Sequence, residues 1–390
     1  GDKMRKILAL LTKNPVLGVL AGALTTAVLQ SSSATTVMAI GFVSAGLMKL
    51  PQGISIILGA NIGTTMTAQL LAFKISDYIF VIIFIGFIIS FITKSEKVKA
   101  VGETIFAFGL LFLGIETMGD VMEPLASSPV FTDMISRVAD VPVLGAAVGT
   151  LMTLVVQSSS ATIAVLQNFA SQAGPDGVTS IIGLSGAIPI LLGDNIGTTI
   201  TAVLASITQS RDAKRTALSH CIFNISGFCI FIWFIEPFAK FIQWISPKGP
   251  EVEVISRQIA NAHTAFNCIM TLIWLPMIWL LVKIVVKIIH DGKKGMQLDP
   301  YGVKYLDNRL ISQPAAALEL VAKEVLHCGH IVQEMLGDLS KAVSSDDRKR
   351  LDEVRKKSAA ASDVNQKIQD YLADLFSGGV LTEEQAAQTA

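Results

Sequence analysis

Charge is scarce in this chain. Of 390 residues only 16% are Asp, Glu, Lys or Arg, while 51% are hydrophobic and mean hydropathy is +0.57. A soluble domain carries about a quarter charged residues, so most of the length is excluded from that class. Cysteine is scarce too. Cys221, Cys229, Cys268 and Cys328 show no C-x-x-C or metal-ligand spacing, and they read as small buried hydrophobes. No nucleotide-binding glycine loop occurs, and the serine motifs contain no acid and histidine partners. The chain is therefore not expected to be an enzyme, to hold a cofactor or to bind nucleic acid. Basic residues are almost absent from the apolar stretches between Val16 and Phe73 and between Leu144 and Leu204, Lys49 at the end of one stretch being the exception.

What the chain has instead is a duplication. Gln-Ser-Ser-Ser-Ala-Thr occurs at Gln30 to Thr35 and again at Gln157 to Thr162. Gly-x-Asn-Ile-Gly-Thr-Thr follows at Gly59 to Thr65 and at Gly193 to Thr199. A buried hydroxyl or amide without a partner costs roughly 2–7 kcal/mol, yet each copy lies between apolar stretches. Polar motifs at matching places in two halves of a membrane chain point to a transporter site at a repeat interface.

Segment length predicts topology. Crossing the hydrocarbon takes about 20 residues, and runs of about 10–14 suggest re-entrant arms. Val16 to Leu29 and Thr35 to Leu50 form one such hairpin, and 142–172 forms the second. Residues 53–73 and 181–208 are expected to span with a break at their centres. Plain spans are expected at 78–93, 101–118, 217–235 and 259–289. Three spans separate the hairpins, so they enter from opposite faces, their serine turns meet near mid-membrane, and the repeats are inverted. Positive charge agrees, because Lys3, Arg5, Lys6 and Lys13, then Lys94, Lys97 and Lys99, then Arg211, Lys214 and Arg215, then Lys283, Lys287, Lys293 and Lys294 fall on one, cytoplasmic side. Lys240, Lys248 and Arg257 dilute the pattern. Gly119-Asp120-Val121-Met122, just after 101–118, matches Gly1-Asp2-Lys3-Met4, so a helix like Thr104 to Met118 is expected before Gly1.

The fold class is thus an all-α membrane protein of two inverted-topology repeats, each with a re-entrant hairpin and a broken spanning helix, plus a soluble cytoplasmic helical hairpin. The expected domains are repeat 1 at 1–100, lacking its first helix, repeat 2 at 101–240, a final span at 241–295 and the helical tail at 300–390. In the tail Leu318, Val321, Val325, Leu326, Ile331, Val332, Met335, Leu336 and Leu339 make an apolar stripe. Its second helix runs from Asp346 to Leu375, and Gly378-Gly379 follows. Two helices leave apolar surface to be covered by the membrane part, a second copy of the chain or a cytoplasmic protein.

With so little basic charge at hand, an anion is held by hydroxyls, amides and helix-start N–H groups. Serine triplets at a hairpin turn suit this role. Glycines with Asn and Thr oxygens suit a small cation at an unwound helix, which makes sodium the coupling ion. The bland alternative is that Ser, Thr and Gly only let helices pack closely. Asp194, where the first copy has Ala60, is an intramembrane acid that ligates sodium, carries a proton or lines a hydrated rim. His220 and His263 sit in matching H-x-x-F-N segments and read as interhelical hydrogen-bonding groups, with a proton relay as the alternative.

These motifs, with Ala260 to Asn267, resemble the sodium-dependent phosphate cotransporter family, its type II branch in bacterial form, over nearly all of 1–290. The resemblance implies cotransport of inorganic phosphate with sodium in the bacterial plasma (inner) membrane. It implies a site of Gln30, Ser31, Ser32, Ser33, Gln157, Ser158, Ser159 and Ser160, with Asn61, Thr64, Thr65, Asn195, Thr198 and Thr199 beside them and Asp194 as coupling candidate. No metal beyond sodium is implied. The tail resembles a partial PhoU-like domain, with Asp363, Asn365 and Asp370 where metal binding would need more carboxylates. Other oxyanions, proton coupling and a phosphate-responsive regulator are the competing functions.

Overall fold

The computed structural model describes residues 14–73, 78–126, 137–138, 141–174, 176–290, 301–311, 314–345 and 348–377. Among these no strand forms, and one isolated bridge joins Ala173 to Ser180. The described residues divide into two compact units, one within 14–40 and 50–285, the other within 41–49 and 286–377.

The described residues open with a helical pair. α1 (Pro15–Leu29) starts at Asn14, whose side chain accepts the Val16 N–H, with proline at its first position. It stops at Gln30, and α2 (Ser32–Ser44) begins two residues on. α3 (Leu50–Leu71) follows, then α4 (Ile79–Ile92) and α5 (Glu96–Ala126). The pattern then recurs: α6 (Pro142–Val156) stops at Gln157 and α7 (Ser159–Ala170) begins two residues on. α8 (Gly183–Gly197) and α9 (Thr199–Ser206) come next. α10 (Arg211–Phe231) bends by 95° into α11 (Ile235–Ile245), and α12 (Glu251–Trp274) bends by 83° into α13 (Ile278–Ile288). Leu50–Leu71, Glu96–Val121 and Gly183–Ser206 are long and apolar enough to cross a membrane, and each bent pair passes the same test when taken together.

Packing in this unit inverts the soluble pattern. α1 buries Gly18, Val19, Gly22 and Thr26 while Leu20, Leu24 and Val28 stand exposed. α6 buries Gly145, Ala146, Gly149 and Thr153 while Leu151 and Val155 stand exposed. Small residues inside and large apolar ones outside are what lipid-facing helices need, because hydrocarbon gives no reason to hide leucine. A Cβ on Gly59 would lie 1.9 Å from the Val19 carbonyl oxygen, and one on Gly193 would lie 2.0 Å from that of Ala146. Helix backbones therefore touch directly at α1 with α3 and at α6 with α8.

That contact corrects the expected break in 53–73. α3 is continuous through Gly59, Asn61, Gly63, Thr64 and Thr65, and its glycines serve close approach, not unwinding. In the second copy the interruption is confined to Thr198, whose backbone stays in the right-handed helical region. Two plain spans are corrected as well. The segment 217–235 runs past the end of its helix at Phe231 into the bend before Ile235, and 259–289 is divided at 275–277, where Pro276 lacks an N–H and cannot continue the helix. Gly119 to Met122 continues α5 instead of following it, and residues 1–4 lie outside the described residues. The cysteines are free but not fully buried: Cys229 is exposed and the other three are half-buried.

In the smaller unit α14 (Pro314–Ser345) and α15 (Arg348–Ser377) pack as a pair around Val321, Ile331, Val364, Ile368, Tyr371 and Leu375. Only part of the expected stripe is inside, since Val325, Leu326 and Leu336 remain more than half exposed. Lys357 on α15 joins Glu334 at 3.1 Å and Asp338 at 2.8 Å on α14. That hydrogen bond holds the Asp338 carboxyl below its ordinary range and the Lys357 ammonium above its own. Among the described residues no group of three or more His, Cys, Asp or Glu could hold a metal ion.

Candidate substrate and ion site

Both polar turns are built the same way. Gln30 and Gln157 have φ of 53° and 55°, the only non-glycine residues with positive φ among those described. A left-handed residue ends one helix and lets the next start almost at once, at a cost that glycine would avoid. Polar side chains take up the new helix starts. Ser31 Oγ accepts the Ala34 N–H at 3.2 Å, and Ser158 Oγ accepts the Ala161 N–H at 3.3 Å. A threonine pair then ties the arms together in each copy. Thr26 Oγ1 donates to Thr35 Oγ1 at 2.8 Å, and Thr153 Oγ1 bonds Thr162 Oγ1 at 3.1 Å.

The triplet's side chains divide by position. Ser32 and Ser159, each 7% exposed, are buried, Ser31, Ser33, Ser158 and Ser160 are half-buried, and Gln30 and Gln157 are exposed. Thr67 on α3 donates to Gln30 Oε1 at 2.8 Å. Thr201 on α9 bonds Ser33 at 3.3 Å, which brings the first copy's turn to the second copy's helix. In the opposite sense, Gln167 on α7 donates to the Ala68 carbonyl of α3 at 3.1 Å. Residues from the two copies thus meet in one core.

The second motif faces α10 and α12. Asn61 and Asn195 are buried, each with its amide nitrogen bonded to its own helix, at Ile57 and Leu191. Their oxygens face outward to different partners. His220 Nε2 meets Asn61 Oδ1 at 3.0 Å, and Asn267 Nδ2 donates to Asn195 Oδ1 at 3.3 Å. The expected interhelical role holds for His220. It does not hold for His263, whose two buried ring nitrogens have no hydrogen-bond partner among the described residues. Thr64, Thr65, Thr198 and Thr199 are buried, and Thr65, Thr198 and Thr199 bond carbonyls one turn back, so those carbonyls stay within the helix.

Asp194 breaks the symmetry in a specific place. It is fully buried, and Oδ1 accepts from Thr153 Oγ1 at 2.6 Å, the same hydroxyl that bonds Thr162. Its Oδ2 has no partner among the described residues. Two threonine hydroxyls and a carboxylate with an open oxygen make a hard-oxygen set of the kind a small cation takes. The first copy has Thr26 and Thr35 but Ala60, so it lacks the charge. Composition and motif spacing alone did not select Thr26, Thr153 or Thr201, because a threonine in an apolar helix ordinarily bonds its own backbone. The signal for Thr26 and Thr153 is their equal offset from the two glutamines.

The Na+/Pi-cotransporter family model matches residues 1–120 and again 116–246. The uncharacterized protein YqeW of Bacillus subtilis is 33% identical over 276 residues, 71% of this chain and 85% of its own length. YjbB of Salmonella typhimurium, whose name proposes inorganic phosphate export, is 26% identical over 389 residues, 98% of this chain and 68% of its own. Sodium-dependent phosphate transport protein 2B of Homo sapiens is 41% identical over 97 residues, 24% of this chain and 13% of its own. No solved structure matches. With the family model covering well over half of its length, in two successive copies, the chain belongs to the Na+/Pi-cotransporter family.

Proposed function

We propose that this protein is a secondary transporter that moves inorganic phosphate across the bacterial plasma membrane with sodium as the coupling ion. The observation that carries the reading is the paired turn. Two left-handed glutamines introduce two serine-led helix starts, each with a buried serine and a threonine clasp. In this reading the turns hold phosphate through hydroxyls and helix-start N–H groups, a weak enough grip to release the ion. Asp194, Thr153 and Thr162 hold sodium, and the carboxylate keeps phosphate out of that position by repulsion.

The arms support a re-entrant, inverted arrangement. α1 and α6 each have 15 residues, which at 1.5 Å per residue rise about 22 Å, short of the roughly 30 Å of hydrocarbon. A pair of such arms enters and returns on one side; α4, with 14 residues, is as short as the arms, so the inversion rests on the one-sided positive charge. The charged tail then lies in the cytoplasm.

Purified protein in liposomes tests the function. Radiolabelled phosphate should accumulate under an inward sodium gradient and leave loaded vesicles when the gradient is reversed. Equal rates without sodium sink the coupling, and no flux in either direction sinks transport. Competition with sulfate and arsenate reads oxyanion selectivity.

A further inference from the structure

The smaller unit contains a cavity of about 650 Å³ between α14 and the segment that precedes it, within the range of small-molecule sites, about 300–1,000 Å³. One wall is pinned from inside the protein. Glu324, fully buried, accepts the backbone N–H groups of Lys304, Tyr305 and Leu306 on its carboxylate. Four hydrogen-bond contacts on one carboxylate fix this short stretch and aim two of its side chains into the cavity, where both line the space.

The lining is positive. Lys304 Nζ lies 5.8 Å from the centre of the Tyr305 ring, and Lys323 Nζ on α14 lies 5.6 Å from the same centre. Two ammonium groups are therefore gathered at one aromatic ring. His327, edge-on to that ring, and His330 one turn later add imidazoles to the wall. Glu334 is the acid in the lining, and Lys357 already binds it. Lys323 also donates to the carbonyl of Ala45, the residue that follows the second arm of the first hairpin.

We propose that this cavity binds a phosphate-bearing anion. Lysine grips phosphoryl oxygens as a point charge, and a phosphate monoester offers several acceptors to two lysines at once. The volume leaves room beside a phosphate for a further group that rests against the tyrosine ring. That group is either the rest of a soluble organic phosphate or the body of an anionic lipid whose headgroup enters. Lys323 joins the cavity wall to the Ala45 carbonyl, which gives occupancy a route to the end of the hairpin arm. The site includes none of the serine-turn residues, so it stands or falls separately from the transport reading.

The test uses the full chain in nanodiscs, wild type against K304Q/K323Q, with AMP and inorganic phosphate titrated calorimetrically in phosphatidylcholine discs. A second arm measures retention of phosphatidylglycerol after delipidation. Loss of two charge-assisted contacts should weaken the bound probe by about tenfold or more. The change should appear for AMP if the ligand is soluble and for phosphatidylglycerol if it is a lipid. A separate variant, H330Q, should give a smaller loss of the same probe and guards against misfolding of the double mutant. The proposal is overturned if neither probe binds wild type or if all variants bind as wild type does.

Discussion

The serine triplets assign different tasks to adjacent hydroxyls. The first serine of each caps its helix, the second is buried, and the third faces across to the other copy only at Ser33. Ser32→Ala and Ser159→Ala should each raise the phosphate concentration for half-maximal uptake about 5- to 150-fold, since an unmatched partner in a water-poor site costs about 1–3 kcal/mol. Uptake kinetics in liposomes measure it, and wild-type values in both would remove these serines from the site. Asp194→Ala asks a sharper question, because Ala60 already occupies the equivalent place. The first copy keeps its Thr26–Thr35 clasp without an acid, so the variant should melt no lower than wild type, while its sodium requirement rises at least about tenfold, the loss of one charge-assisted contact of about 1.5–3 kcal/mol. A lowered melting point with an unchanged sodium curve would make Asp194 a packing residue. Much at this scale was legible in the sequence: the motifs, their duplication and the odd acid. The partners were not. Nothing in the spacing of Thr201 and Ser33 announces a bond between them, because that contact depends on how two distant helices cross.

At the scale of elements, apolarity gave the helices but misjudged their shape. Runs of small and polar residues suggested broken helices at Gly59 to Thr65 and Gly193 to Thr199, yet glycine in lipid serves contact as readily as flexibility. The distances decide between the two uses. Gly59→Ala and Gly193→Ala should each lose about 1–3 kcal/mol of stability, the usual cost of overpacking, because the obstructing atoms are backbone carbonyls that cannot rotate away. Gly114→Ala on α5 is the matched control, since nothing lies within 4 Å of its Cβ position, and it should gain up to about 1 kcal/mol from helix propensity. Thermal melting of the purified variants compares them; equal behaviour of all three would mean that α1 and α6 are free to move away from their partners. The bent pairs were hidden for a different reason. In 259–289 hydropathy hardly changes across Pro276, so a window sees one long span. The 83° turn is set by a single missing N–H and by a short arm whose Ile278, Leu281 and Val285 are buried. The same arrangement in α10 and α11 places Ile235, Phe238 and Ile242 inside. The matching H-x-x-F-N segments, at equal distances before the two bends, mark a second internal similarity beside the serine motifs.

For the whole molecule the sequence suggests a lipid-adapted part and a charged tail, and the two units of the structure part at Val285, with 41–49 grouped in the smaller one. The tail's own architecture was only half visible, since periodicity predicts an apolar stripe without saying how much of it a partner helix covers. Here α15 covers Val321 and Ile331 and leaves Leu326 and Leu336 outside. The two serine turns, the threonine clasps and Asp194 all lie in the larger unit, held by contacts among α1 to α12. Removing residues 300–390 deletes α14 and α15 without touching any of those bonds. The truncated protein should therefore insert, melt as a folded membrane protein and take up phosphate under a sodium gradient, with half-saturation for phosphate and sodium each within about threefold of the full chain, a difference of less than about 1 kcal/mol. Its maximal rate is free to change, because the lost Lys323 contact to Ala45 sits at the end of a hairpin arm. Side-by-side liposome uptake by the two proteins at matched reconstitution decides the matter. A folded truncation that carries no phosphate would mean that the transport cycle runs through the tail.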